Sequence, residues 1–312
     1  MKSPKLAPAL AALALAGCAS FPAPEPRPVA DSSCSPASAV EGAWANEPGE
    51  TQVLFKGQEI LFRKKGALSV ASILKRDHEE LQVRYQGLLA TWKLTCTPEG
   101  QLSLQADEPL SLQRLAKAPA ELSLDSPPFP EPAPIPVDDA KAVEQELQRR
   151  VGLDQQAVKD PALRAKRPEI LADNIQYLRE LTSRLGWIDI PRFGRLAASA
   201  AVLIAKHASD LPLMKRALPI VARDVKEHGG SGEMYSVLYD ELQITLGRRQ
   251  RYGTQFAPDD QGNLFVLPLE EPDKVNAYRK EIGILSFEEY LHLVSQNMGG
   301  APVRVAGEPS CK

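Results

Sequence analysis

The sequence predicts an α+β protein: a small antiparallel β meander or barrel, followed by a separate, mainly α-helical domain with one inserted β-hairpin. Two hydrophobic periods support this fold class. Between residues 41 and 115 apolar and polar residues alternate, as at Leu81, Val83 and Tyr85, which is the period of a β-strand. From residue 138 onward the apolar residues recur every three or four positions, as they do on one face of a helix.

Proline marks the boundaries between the predicted parts. The 312-residue chain contains 27 prolines, and a proline cannot donate a hydrogen bond to a helix or a sheet. The proline-rich stretch at 126–136 therefore predicts a semi-rigid spacer between two domains. The predicted parts are a leader (1–17), a Pro/Ser-rich tether (18–40), an all-β domain (41–115), a Pro-rich linker (116–137), a helical domain (138–298) and a tail (299–312).

Turn signals such as Lys65-Gly66 and Gln86-Gly87 divide the β region into about seven short strands at hairpin spacing. This pattern indicates either a small barrel or a strongly curved sheet. The string Gly42-Ala43-Trp44 resembles the Gly-x-Trp entry of lipocalin-like barrels, which implies a small apolar ligand inside. The alternative is that Trp44 merely packs on the sheet.

The helical domain is predicted to contain seven helices, with Asp138-Asp139 capping the first, Ser231 capping the fifth and Ser286 opening a capping box in the last. Residues 251–256 and 264–267 flank a turn and predict an inserted hairpin. The helices are expected at 138–150, 170–186, 196–208, 211–227, 231–247, 273–282 and 286–296.

The start of the chain has the features of an export signal. Lys2 and Lys5 precede a short apolar run, which is too short to span a bilayer. The run ends in Leu15-Ala16-Gly17-Cys18, which resembles the lipobox of bacterial lipoproteins and implies acylation of Cys18, for example with palmitate, and cleavage before it. The alternative is an ordinary signal peptide with an incidental cysteine. Because Ala19 follows, the resemblance favours the periplasmic side of an outer membrane in a host with two membranes.

Export also bears on the other cysteines. Cys34 and Cys96 bracket the β domain, and an oxidising compartment permits a bridge between them. Cys311 is then the odd thiol. The alternative is three free thiols.

Charge and residue spacing argue against several classes of function. The formal charge is −3, and loss of Lys2 and Lys5 with the leader makes it −5, so nucleic acid is not an expected partner. No His, Cys and Asp residues stand at metal-ligand spacing, and we predict no metal site and no cofactor.

The string from Gln250 to Phe256, Gln-Arg-Tyr-Gly-Thr-Gln-Phe, resembles an uncharacterised bacterial family catalogued as domain of unknown function 6624. The likeness extends over roughly residues 144–294. Val158 and Glu241 stand where the family pattern has arginine. The family has no assigned activity, so the resemblance implies an architecture and a candidate surface.

The hairpin string supplies the candidate binding residues. Their side chains offer hydrogen-bond donors and acceptors, and a glycine permits close backbone approach. The alternative is that the hairpin fills a gap between helices and its polar groups satisfy buried backbone. The candidates are Asp173, Asn174, Gln250, Tyr252, Gly253, Thr254 and Gln255.

Three functions remain open at this point. The preferred one is a membrane-anchored envelope lipoprotein that binds an envelope protein or a peptide without catalysis. The second is a hydrolase-like enzyme with His207 as general base beside Asp240, in a cleft under the hairpin; the alternative is that His207 is a satisfied core residue. The third is binding of a small apolar ligand by the β domain.

Overall fold

The computed structural model describes residues 41–305, apart from residues 48, 65, 78, 98, 99, 107, 108 and 260. The predicted leader, the whole predicted tether (with Cys18 and Cys34) and Cys311 lie outside the described residues. Within the described part of the chain, no helix is long and apolar enough to span a membrane.

The first domain is a closed, eight-stranded antiparallel β-barrel, one strand more than the turn signals indicated. Each strand pairs with its neighbour in sequence, and β1 pairs with β8 to close the barrel. Closure leaves no unpaired sheet edge. The strands are β1 (Gly42–Ala45), β2 (Thr51–Lys56), β3 (Glu59–Lys64), β4 (Ala67–Arg76), β5 (Glu80–Tyr85), β6 (Leu88–Cys96), β7 (Leu102–Gln105) and β8 (Pro109–Arg114).

Side chains fill the interior of the barrel. The alternating apolar residues point inward and form one cluster. In this cluster Trp92 makes edge-to-face ring contacts with Phe62 at 5.3 Å and with Tyr85 at 5.5 Å. Trp44 of β1 is 1% exposed, and the Arg114 guanidinium lies 5.6 Å from its ring centroid. A core filled by large rings does not favour the third function, an apolar ligand held inside the barrel.

The second domain is mainly helical, as the period of its apolar residues predicted. Its last helices are accompanied by a small sheet, in which β9 (Phe256–Pro258) and β10 (Leu264–Val266) form the predicted hairpin and β11 (Arg304–Val305) runs parallel to β10. The helices are α1 (Val137–Lys159), α2 (Pro161–Arg164), α3 (Arg167–Leu185), α4 (Ile190–His207), α5 (Leu211–His228), α6 (Gly232–Thr245), α7 (Val275–Glu281) and α8 (Phe287–Asn297), with a 3-10 turn at Pro272–Lys274.

Two of the three predicted helix caps are confirmed. Ser231 accepts the backbone N–H of Met234, and Ser286 forms the predicted capping box with Glu289. The predicted cap by Asp138-Asp139 is wrong, because α1 starts earlier, after Pro136, and both carboxylates lie in its first turn, where they still oppose the helix dipole favourably.

α4 has two parts. It begins at Ile190, capped by Asp189, and it is interrupted at Gly194, where φ is +81° and ψ is 169° and the backbone is not helical. The helix predicted at 196–208 corresponds to the part after this interruption. The part from Ile190 to Phe193 was not predicted, and Pro191 occupies its first turn, where the missing N–H of proline has no cost.

The chain packs as two compact units. One contains residues 128–208 and 216–238, and the other contains the barrel together with residues 209–215 and 239 onward. In the second unit, the β-barrel contacts the end of α6: the Ser72 hydroxyl donates to the carbonyl of Leu246 at 3.2 Å. At Gly247, where φ is +67°, an added Cβ would lie 2.6 Å from the carbonyl oxygen of Arg84.

Candidate functional site

Residues 250–255, hereafter the 250–255 loop, wrap around the carboxylate of Asp240. Asp240 lies on α6 and is 0% exposed. Its oxygens accept the backbone N–H groups of Arg251 at 2.8 Å, Tyr252 at 3.0 Å and Thr254 at 3.0 Å, and the hydroxyl of Thr254 at 2.9 Å. The part of the string predicted as a strand is therefore a loop, because its N–H groups turn inward to one carboxylate.

Gln250 completes the loop from its other side. This fully buried side chain donates to the carbonyls of Gln255 at 2.9 Å and Leu267 at 2.7 Å, and its own carbonyl accepts the N–H of Gln255 at 2.8 Å. An amide is suited to this position because it both donates and accepts.

Gly253 and Arg279 hold the outer turn of the loop. At Gly253, where φ is +72°, an added Cβ would lie 2.4 Å from the ring of Phe287. The buried Arg279 donates to the carbonyls of Tyr252 and Leu285 and lies 4.6 Å from the Tyr290 ring centroid. Backbone and side chains thus fix the conformation of the loop.

The environment of Asp240 indicates what its carboxylate does. Burial raises the pKa of Asp240, while the N–H donors from the loop act in the opposite direction. Both oxygens are occupied by loop donors, so this carboxylate organises the loop. Tyr252, Thr254 and Gln255 are buried as well, which favours the reading in which the hairpin string satisfies buried polar groups.

His207 has a different carboxylate as its partner. Its Nδ1 lies 2.5 Å from Oδ2 of Asp154 on α1, and the other oxygen of Asp154 accepts Arg167 Nε at 2.9 Å. Burial alone would raise the pKa of Asp154, but the hydrogen bonds and charges of His207 and Arg167 hold it below its usual value. Nε2 of His207 has no hydrogen-bond partner among the described residues.

Sequence reasoning paired His207 with Asp240 and missed this arrangement. Asp154 and His207 are 53 positions apart, and α1 and α4 pack side by side to bring them together. The available signal was the apolar spacing of α1, which continues past Arg150 and carries Asp154 onto the buried face.

Asp173 and Asn174 belong to a polar cluster centred on Arg150. The guanidinium donates to Asp173 at 2.6 Å and to Asn174 at 3.3 Å, contacts Glu146 at 2.7 Å, and stacks 4.1 Å from the Tyr177 ring centroid. Asn174 is buried, whereas the side chain of Asp173 is 71% exposed. The structure therefore joins these two residues to α1.

Cys96 at the end of β6 takes part in a disulfide. Its predicted partner, Cys34, lies outside the described residues, as does the predicted lipidation site, Cys18. Among the described residues, no three His, Cys, Asp or Glu side chains are grouped so that they would hold a metal ion.

The proline-rich segment contacts the helices of its own unit. The Phe129 ring lies 5.8 Å from Trp187, and the Arg216 guanidinium lies 4.4 Å from the Phe129 ring centroid. The cation and the aromatic faces attract each other in this geometry. Residues 116–137 were predicted to be a spacer, and part of this segment packs on α3, α4 and α5.

Two cavities lie along this segment. One measures ≈380 Å³ and the other ≈410 Å³, which is the size range of ligand pockets. We call the surface formed by both cavities the proline groove. The groove is also lined by residues of α3, α4, α5 and the segment between α3 and α4: Arg184, Trp187, Arg192, Phe193, Arg216 and Arg223.

These features define the class of protein: a filled β-barrel followed by a helical domain, in which two buried carboxylates organise a loop and a histidine. The family model described as "Family of unknown function (DUF6624)" matches residues 138–302, and the chain belongs to this family. The comparisons with curated proteins and with solved structures found no match.

Proposed function

We propose that the protein is a lipid-anchored binding protein of the bacterial cell envelope, whose helical domain holds extended, proline-rich segments in the proline groove. The observation that carries this proposal is the seating of Phe129 against Trp187 and Arg216. The chain's own segment 128–136 is then the resident occupant of a surface that other segments of the same chemistry can share.

The chemistry of the groove fits such an occupant. Prolines favour an extended helix with three residues per turn, which is already ordered before it binds. Domains that recognise it use aromatic surfaces, and here Trp187 and Phe193 are buried aromatic residues of the groove. Arg216 adds a planar cation that attracts an aromatic ring.

The anchoring part of the proposal rests on the lipobox-like string ending at Cys18. Two or three acyl chains on one residue bind a bilayer stably, whereas a single chain binds only marginally. The tether after Cys18 then gives the folded parts reach into the envelope. An oxidising compartment agrees with the disulfide of Cys96.

The test removes the aromatic ring of Phe129 by substitution and adds residues 127–137 as a free peptide. In the full chain with Cys18→Ala, Phe129→Ala removes the ring that contacts Trp187. We expect a peptide of residues 127–137, titrated to millimolar concentration, to shift the indole NMR resonance of Trp187 in this variant. In the parent chain the attached segment has an effective concentration of roughly millimolar or more, so the same peptide is excluded.

Val137→Ala is the matched control, because Val137 directly follows the segment and is 82% exposed. This control variant should exclude the peptide as the parent chain does. A peptide in which alanine replaces the phenylalanine should not bind Phe129→Ala. If the natural peptide leaves the Trp187 resonance of Phe129→Ala unchanged, the proposed binding function is wrong.

A second candidate function is acid–base catalysis by His207, with Asp154 as the residue that orients it. The favouring observation is the short contact between Nδ1 and Asp154, together with the unpartnered Nε2, on a side chain that is 17% exposed. A carboxylate on Nδ1 fixes the tautomer in which Nε2 accepts a proton.

This candidate is tested with a panel of chromogenic ester and amide substrates. Turnover at His207 requires that His207→Gln and Asp154→Asn both lower kcat, by about 100-fold or more for His207→Gln. Asp173→Asn, on the exposed side of the Arg150 cluster, is the control and should retain the parent rate. Equal rates in all four proteins would remove the catalytic candidate.

A further inference from the structure

The tether contains a second copy of the pattern that occupies the proline groove. Residues 129–136 read Phe-Pro-Glu-Pro-Ala-Pro-Ile-Pro, and residues 21–28 read Phe-Pro-Ala-Pro-Glu-Pro-Arg-Pro. Both begin with phenylalanine, and both then have proline at every second position. The tether copy therefore repeats the one residue whose ring contacts Trp187 and Arg216 in the observed segment.

Spacing along an extended proline helix explains which positions matter. With three residues per turn, residues 129, 132 and 135 share one face. Within 128–136, Phe129 and Ile135 are the half-buried residues, and the others are exposed. The segment is thus held at two points that are two turns apart.

The equivalent positions of the tether copy are Phe21, Pro24 and Arg27. Phe21 supplies the same ring as Phe129. Arg27 replaces Ile135, which lines the larger cavity together with Asp139. The long aliphatic stem of arginine covers apolar surface while its charged end stays in water, and Asp139 offers that end an opposite charge.

We propose that the tether segment 21–28 is the second ligand of the proline groove and competes with the linker segment 129–136. This inference rests on the proposed function, and it names the occupant. The linker has the advantage in the intact chain, since residue 136 is joined directly to α1. The tether segment binds in the groove when the linker segment dissociates from it.

The test compares how tightly the linker peptide binds in the presence and in the absence of a competing tether. The proteins are the full chain with Cys18→Ala, carrying either Phe129→Ala alone or Phe21→Ala together with Phe129→Ala. Binding of the 127–137 peptide is followed by the Trp187 resonance. We expect the double variant to bind the peptide about tenfold more tightly, because the attached tether no longer competes. Phe21→Ala alone is the control and should exclude the peptide as the parent does.

Equal affinities in the single and double variants would overturn the tether as a ligand and leave the binding function intact. Tighter binding by the single variant would also overturn it. Absence of binding to both variants would overturn the tether proposal and the proposed function together.

Discussion

At the scale of single residues, two buried carboxylates perform different tasks because different donors surround them. Asp240 receives three backbone N–H groups and one hydroxyl, all from the 250–255 loop. Asp154 receives a histidine and an arginine. The Asp240 carboxylate therefore fixes the backbone conformation of the loop. The Asp154 carboxylate orients His207, whose Nε2 has no hydrogen-bond partner among the described residues.

Asp240→Ala should destabilise the protein strongly, because it leaves the loop donors buried without an acceptor. Each unpaired buried donor costs about 1–3 kcal/mol, so we expect a loss of about 3 kcal/mol or more in the free energy of unfolding. Urea denaturation followed by circular dichroism measures this loss. Asp273→Ala, at an exposed position of the same unit, should change the free energy little. Equal effects of the two substitutions would contradict the role given to Asp240.

The stabilising effect of Asp154 should depend on pH in a defined direction. Its pKa is lowered in the folded protein, so the folded state favours the ionised form. The stabilisation is present above the unfolded pKa of about 3.9 and is lost as the pH falls through the lower folded value. The difference in unfolding free energy between the parent and Asp154→Asn should therefore shrink as the pH falls below about 4. A difference that grows on acidification would contradict the depressed pKa.

At the scale of elements, local pattern predicted most of the strands and helices that bury one face, although α1 continues to Lys159, past its predicted end at residue 150. The period of two in residues such as Leu81 and Val83 located the barrel strands, and the helical period located α3, α5 and α6. The loop at 250–255 could not be predicted in the same way. Its conformation depends on Asp240, which is 10 to 15 positions earlier and reaches the loop only in the folded protein.

Close packing of the barrel against the end of α6 gives a prediction at two glycines. Gly247 and Gly262 both have positive φ, but an added Cβ at Gly247 meets backbone at 2.6 Å, whereas at Gly262 it meets nothing within 4 Å. Both alanine substitutions incur the cost of positive φ, roughly 1–2 kcal/mol. Gly247→Ala should cost more than Gly262→Ala by about 1–3 kcal/mol, as expected for overpacking. Thermal unfolding of the two variants makes the comparison, and equal stabilities would show that the contact is not tight.

At the scale of the whole molecule, the sequence predicted the α+β order of the two domains but not the packing of its linker. Proline composition marks residues 128–136 as extended, and this property is local. Whether an extended segment lies free or on a surface depends on partners far along the chain, here Trp187 and Arg216. The candidate site was predicted in part for the same reason: His207 was singled out, but its partner Asp154 was not.

The lipid anchor proposed for Cys18 leads to a prediction about location. In cells, the parent chain should fractionate with membranes and lose its leader, while Cys18→Ala should appear as an uncleaved or soluble form. Metabolic labelling with a palmitate analogue, followed by fractionation, measures both properties. Cys96→Ala is the control, since it alters a cysteine of the barrel and should still be labelled. Labelling and membrane attachment that persist in Cys18→Ala would contradict the anchor.

The central claim is that the proline groove recognises extended proline-rich segments through an aromatic anchor. The most direct measurement places a photoreactive phenylalanine analogue at the position of Phe129 in the free 127–137 peptide and irradiates it with the Phe129→Ala protein. Mass spectrometry then maps the covalent adducts. The account predicts adducts on residues 186–192 or 216–223, which include the residues that line the groove beside Phe129. Adducts confined to other parts of the chain, or none at all, would contradict it.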